Sequence, residues 1–526
     1  MSGTRTNEQY SIALETVENE LKKFELAERQ RLGLEPPRHW HDPNPQRFTA
    51  AERASTTLLF GGLTILHDQL IQAALKALGY KALALDCPDN AALQVGKEFG
   101  NRGQCNPTYF TVGNLVKYLV DLRDRQGLST QEIVDNYLFI TAGACGPCRF
   151  GMYTTEYRKA LRDAGFDGFR VVVFSQVASA TEALEQAGLE IGFKFYYTLY
   201  KCIIAGDVLN AMGYRIRPYE VEAGSTDAAL DRCRQLVAAA LSAGKSVRKA
   251  LKQCRRLLEA VQVDRSVPKP KVAVIGEFWA MTTEGDGNYH LKQFLEQEGA
   301  EVDHQMIINW GLYTLWEVEY DTRERMRLHQ LDPYEQQHLD KSPRRTILLT
   351  RLAVFFIKRF FYTYARAVGL KNYHLPDMDE IARISHKHYY NELRGGEGHM
   401  EVGKVIQTFA KRKAHLVISV KPFGCMPSSG VSDGVQSIIS SKYPDINFLA
   451  IETSGDGAVN VYSRVQMALF KARQKAKDEL QQALHDKRLS EQTLRQKLGR
   501  ARYASGVYYP RHRVAGTAAN AVYELT

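Results

Sequence analysis

Tyr137-Leu138-Phe139-Ile140-Thr141 and Phe169-Arg170-Val171-Val172-Val173-Phe174 are the two runs whose reading decides the fold. Each is short, almost unbroken in apolar character and rich in β-branched or aromatic residues, as strands covered on both faces are. Tyr153–Ala164 lies between them as a helical pattern closed by Gly165. A strand, a helix and a second strand of this kind make a βαβ unit of a parallel sheet. Working outward, Thr57–Phe60 and Lys81–Leu85 read as further strands, Leu66–Leu78 as a helix stopped by Gly79, and Val112–Arg123 as an amphipathic helix.

Beyond a Val267-Pro268-Lys269-Pro270 linker the pattern starts again. Lys271–Glu277, His415–Lys421 and Ile446–Ile451 read as strands, and Tyr289–Gln297 and Val431–Ser441 as helices. The expected fold is α/β, with two Rossmann/flavodoxin-like parallel-sheet domains, a helical insertion, and helical N- and C-terminal extensions. The boundaries fall at 1–55 (helical arm), 56–266 (first α/β domain), 267–470 (second, with the insertion at 312–412) and 471–526 (basic tail).

At 526 residues the chain exceeds one core, while 44% hydrophobic and 24% charged residues are values of an ordinary folded protein. The most apolar stretch, Leu352–Val368, is interrupted by Lys358, Arg359 and Arg366, and the first 21 residues lack a signal-peptide pattern. A cytoplasmic location with no membrane partner is expected. The formal charge of +10 is concentrated in Arg323–Arg366 and Lys471–Arg513 and is read as solvated helix faces rather than a nucleic-acid groove. In a reducing compartment the eight cysteines are no disulfide framework, which leaves metal binding, redox chemistry or burial.

Three cysteines stand in alike surroundings: Gly103-Gln104-Cys105-Asn106-Pro107, Gly146-Pro147-Cys148-Arg149-Phe150-Gly151 and Pro422-Phe423-Gly424-Cys425-Met426-Pro427. Each sits in a Gly/Pro turn that leads into a helix, and the second and third turns follow strands directly. Turns after parallel strands line the ligand crevice, and helix N-termini there favour thiolates and anionic groups. Cys105, Cys148 and Cys425 are therefore candidate ligands of one metal site, with Cys145 as a candidate fourth. Cys145-Gly146-Pro147-Cys148 also matches the dithiol of thiol–disulfide oxidoreductases, a reading that stays open. Asn106, Arg149, Glu277, Asn288 and Glu452 are candidates for supporting or substrate contacts, the last three at or beside strand ends. Gly285-Asp286-Gly287-Asn288 and Ser454-Gly455-Asp456-Gly457 are turns that could face the same crevice. No catalytic residue is assigned.

These loops, with Thr111-Val112-Gly113-Asn114-Leu115-Val116-Lys117, Arg217-Pro218-Tyr219-Glu220-Val221 and the stretch 263–277, resemble the activase-related branch of the 2-hydroxyacyl-CoA dehydratase superfamily. The resemblance covers roughly 56–470. It implies a [4Fe–4S] or double-cubane iron–sulfur cluster on Cys105, Cys148 and Cys425, and a lyase or low-potential reductase activity. In such systems an open iron meets the substrate oxygen, and a partner ATPase injects the electron that drives elimination of the hydroxyl. The chain shows no actin-like ATPase and no Asp-x-Gly phosphate motif, so the activase is expected as a separate chain. An acyl-CoA substrate and a homo- or heterodimer are implied too. A non-catalytic electron relay or scaffold is the alternative, and Cys145 as a fourth ligand would favour it.

Overall fold

The computed structural model describes residues 48–143, 148–174, 188–331, 342–393 and 398–525, and 20–21, 23–29 and 31–33 near the N-terminus. Residues 1–44 form one compact unit and 45–526 another. In the first unit the described residues are mostly helical, with Arg29 2.9 Å from Glu25 one turn away.

In the second unit the chain runs β1 (Thr57–Phe60), α1 (Ile65–Ala77), β2 (Lys81–Ala84), α2 (Asn90–Phe99), α3 (Asn106–Asp124), β3 (Tyr137–Ala142), α4 (Tyr153–Asp163), β4 (Arg170–Phe174) and α5 (Phe193–Ile216). After Ser225–Ser242 and Val247–Ala260, also helical, come β5 (Lys271–Gly276), α6 (Phe278–Thr282), β6 (Glu301–His304), α7 (Ile308–Leu331), α8 (Pro343–Val368) and α9 (Gly398–Ala410). The chain closes with β7 (Leu416–Pro422), α10 (Met426–Ser429), β8 (Phe448–Thr453), α11 (Ala458–Asp486), α12 (Glu491–Leu498) and α13 (Thr517–Leu525).

Both sheets are fully parallel and share one strand order, β2-β1-β3-β4 and β6-β5-β7-β8. That order begins the flavodoxin-type winding, whose ligand crevice opens between the first and third strands. The apolar runs explain the layering. Leu58 and Leu138 pair across β1 and β3 with no exposed surface, and every residue of β7 is buried, as a central strand between helix layers requires.

β6 was not among the expected strands. Its Glu301 and Asp303 break the apolar signal, and Glu301 is buried because partners surround it: the Tyr219 hydroxyl at 2.9 Å, Thr517 Oγ1 at 2.5 Å, and Lys271 Nζ at 3.2 Å. The basic stretch 471–526 lies against the second sheet. Leu480, Ala483 and Leu484 of α11, Leu494 and Leu498 of α12, and Ala518, Ala519 and Val522 of α13 form a buried apolar cluster, and the charges face outward. The segment before α13 is clamped as well. Arg265, 1% exposed, donates to the carbonyls of Ser505 and Gly506 at 3.2 and 3.1 Å, and Val263 N–H to that of Ala504 at 2.9 Å.

Candidate functional site

Cys105, Cys148 and Cys425 occupy the same local position. Each is the residue just before a helical turn: Cys105 before α3, Cys148 before the 3-10 turn Arg149–Met152, and Cys425 before α10. All three have extended backbones (φ −72°, −67° and −73°), and none uses its sulfur to cap the turn. Pro107 and Pro427 stand in the first turns after Cys105 and Cys425, where a missing N–H costs nothing.

The loops come from remote parts of the chain and interlock. Asn106 N–H donates to Phe423 C=O at 2.9 Å, and Phe423 N–H to Thr453 C=O at 2.9 Å. Gly424 has φ +76°, and a Cβ there would lie 3.2 Å from both Cys105 Cα and Gln104 O, and 3.7 Å from Arg149 Nη1. Glycine at 424 thus permits both the turn and the close approach of two backbones. Arg149, next to Cys148, donates to Gly103 C=O. Main-chain contact joins the Cys105 and Cys425 loops, and the Arg149 side chain joins the Cys148 turn to them.

Sequence reading missed two neighbours of Cys105. Tyr153 Oη and Thr108 Oγ1 lie 3.1 and 3.2 Å from its sulfur. Burial first, and then the Cys105 sulfur, raise Tyr153 well above its ordinary value, so the phenol keeps a proton that it can give to the sulfur. Asn106 Nδ2 is a buried donor with no hydrogen-bond partner among the described residues. A set of sulfurs at helix starts, with hydroxyl donors on one of them and a donor in reserve beside it, suits an anionic cluster. Among the described residues no three His, Cys, Asp or Glu side chains converge as a single metal ion would need. Cys145 lies outside the described residues.

Glu277 closes β5. Its N–H donates to Val420 C=O at 2.9 Å and its Oε2 accepts Ala280 N–H at 2.8 Å. Burial raises its carboxyl above the usual range against these N–H bonds, and its charge is felt at Tyr153. The other candidates sit differently. Asn288 spends its amide N–H groups on Ala280 and Thr283 carbonyls, both at 2.8 Å, and so staples its own loop. Glu452 stands 3.7 Å from Lys421 on β8, its side chain 43% exposed. The Ser454–Gly457 turn is already filled: N–H groups of Ser454, Gly455 and Gly457 point at the Tyr289 hydroxyl, at 2.8, 3.1 and 3.2 Å.

A cavity of about 300 Å³ opens at the C-terminal ends of β1 and β2, lined by Gly62, Asp68, Cys87, Thr111, Asn114 and Trp279. Thr111 lies one turn along α3 from Thr108, so one helix serves both the cavity and the Cys105 sulfur. Burial pushes Asp68 up to about 7, and its carboxyl accepts Gly62 N–H at 3.2 Å. No helix among the described residues is long and apolar enough to cross a membrane. No family model matches the chain, and no curated protein matches it.

Proposed function

We propose that this chain is the iron–sulfur component of a 2-hydroxyacyl-CoA dehydratase-type system, with Cys105, Cys148 and Cys425 holding a [4Fe–4S] or double-cubane cluster. The observation that carries the reading is the convergence of three loops, each presenting a cysteine at the start of a helical turn. When bound, the cluster supplies low-potential electrons and a Lewis-acidic iron.

The chain's own residues do the rest. Tyr153 and Thr108 donate to the Cys105 sulfur and fix its orientation. Arg149 ties the Cys148 turn to Gly103, and Gly424 lets the Cys425 loop close on them. Glu277, whose carboxyl burial raises above the usual range, is a proton carrier beside Tyr153. The cavity beside α3 holds the acyl portion of the substrate, screened from water by Trp279 and Tyr157. A separate ATPase delivers the electron, and the location is cytoplasmic.

Anaerobic purification with iron and acid-labile sulfide analysis tests this. Stoichiometric iron and sulfide, lost together in Cys105→Ala, Cys148→Ala and Cys425→Ala variants, is the expected result. A preparation without iron, but with full dithiol reactivity at Cys145 and Cys148, transfers the assignment to thiol–disulfide exchange. Unchanged cluster content in Cys145→Ser leaves three ligands and an open iron, whereas loss marks a closed electron relay.

A further inference from the structure

Away from the cysteine loops, charged side chains gather around a cavity of about 160 Å³ beside β6, walled by α5, α9 and the segments around Tyr373 and Tyr509. Two of its carboxylates are committed. Asp207 accepts the N–H groups of Ile307 and Ile308 at 2.8 and 2.9 Å, and Glu301 is held by Lys271 and three hydroxyls. What remains is Arg215, Lys404 and Lys413 around the single carboxylate of Asp303.

Among the described residues none of these cations forms an ion pair with Asp303, although both lysines feel its charge. Lys404 donates only to the neutral Gln305 Oε1. Arg215 donates to Lys371 C=O at 2.6 Å and lies 4.0 Å over the Tyr509 ring. The Lys413 ammonium has no hydrogen-bond partner among the described residues. Burial, together with Lys413, pushes Lys404 down to about 7 in spite of Asp303. Uncompensated positive charge in a recess is costly unless an anion joins it.

We propose that this cavity binds a small oxyanion that also carries a hydrogen-bond donor, the chemistry of monohydrogen phosphate. Its oxyanion edges face Lys404, Lys413 and Arg215, and its P–O–H faces Asp303. Arg215, Lys271, Lys404 and Lys413 against Asp207, Glu301 and Asp303 leave positive charge in excess around the recess, which a phosphate-type anion offsets. Charge-assisted bonds to phosphate oxygens are the strong kind.

Calorimetric titration of the full chain with potassium phosphate, at constant ionic strength, is the test. Saturable binding is expected, weakened at least about tenfold in Lys404→Met and in Lys413→Met. Sulfate, an equal charge without the donor, binds more weakly than phosphate to the parent chain, and Asp303→Asn removes that preference. In anion-free buffer the thermal midpoint of Lys404→Met holds or rises, because the substitution deletes an uncompensated charge. Absence of saturable binding at millimolar phosphate, equal binding by both lysine variants, or a fall in that anion-free midpoint overturns the proposal.

Discussion

The helices that frame Cys105 cross at two glycines, and replacing one of them should act on fold and site together. A Cβ at Gly113 would lie 1.8 Å from Ala92 O and 2.5 Å from Gly96 N, and a Cβ at Gly96 would lie 1.8 Å from Tyr109 O. An ordinary contact of this type needs over 3 Å, so Gly113→Ala must push α2 and α3 apart by roughly 1.5 Å. Overpacking of this kind costs about 1–3 kcal/mol, against about 1 kcal/mol gained from alanine's helix propensity. A clash with backbone takes the upper end of that range, so a net loss of about 2 kcal/mol is expected for the single variant. Because one displacement relieves both clashes, Gly96→Ala/Gly113→Ala should cost clearly less than the sum of the singles. The connection between the helices carries Cys105 and anchors it to Phe423, so iron retention should fall alongside stability. Urea melts of the two singles and the double, with iron analysis of each, decide the matter. A Gly113→Ala melt at or above the parental midpoint, or strict additivity, refutes the backbone-to-backbone packing argued here.

Tyr153→Phe removes one of the two hydroxyls within hydrogen-bond distance of the Cys105 sulfur. The bond is stronger to the more negative reduced centre, and a difference of about 1.4 kcal/mol between the two states shifts the reduction equilibrium about tenfold toward the oxidised cluster, 59 mV for a one-electron couple. Redox titration checks this, and an unchanged potential at full iron loading would show that the phenol does not act on the centre. Glu301 governs acid stability. Burial alone would raise its carboxyl, but Lys271, Thr517, Tyr509 and Tyr219 outweigh burial and hold it at about 2. Its folded value lies below its unfolded one, so the stability it adds is full above about pH 4.5 and is lost as pH falls toward 2. The difference amounts to roughly 3 kcal/mol. Glu301→Gln should flatten that part of a pH-dependent melting curve, and a parallel curve would count against the network.

Strands were legible where burial on both faces demanded apolar runs, as in Val171–Phe174 and Val272–Ile275. β6 was not, because its charges are satisfied by Tyr219, Tyr509 and Thr517, residues far away in sequence. In the C-terminal stretch the basic residues drew the eye, although Leu480, Ala483, Leu484, Leu494 and Leu498 keep helical spacing and are buried. The cysteine loops announced themselves through Gly and Pro, which report local backbone needs. Tyr153 and Thr108 could not, since a phenol that meets a sulfur 48 positions away leaves no local trace. Asn288 divides its side chain: its amide N–H groups serve its own glycine-rich turn, while its oxygen is buried without a hydrogen-bond partner among the described residues.

The repeated strand order has a consequence for how the chain is made. Cys148 and Cys425 follow the third strand of their respective sheets, and 277 residues separate them. Both sheets belong to one compact unit, and the apolar cluster beneath β1 draws on residues as distant as Phe361 and Val507, so the first sheet is completed only by chain made after it. The three cysteine loops can therefore meet only after β7 has been made and has docked. A chain cut short before β7 would lack the Phe423 carbonyl that the Asn106 N–H meets, and the Cys105 loop would lose its partner.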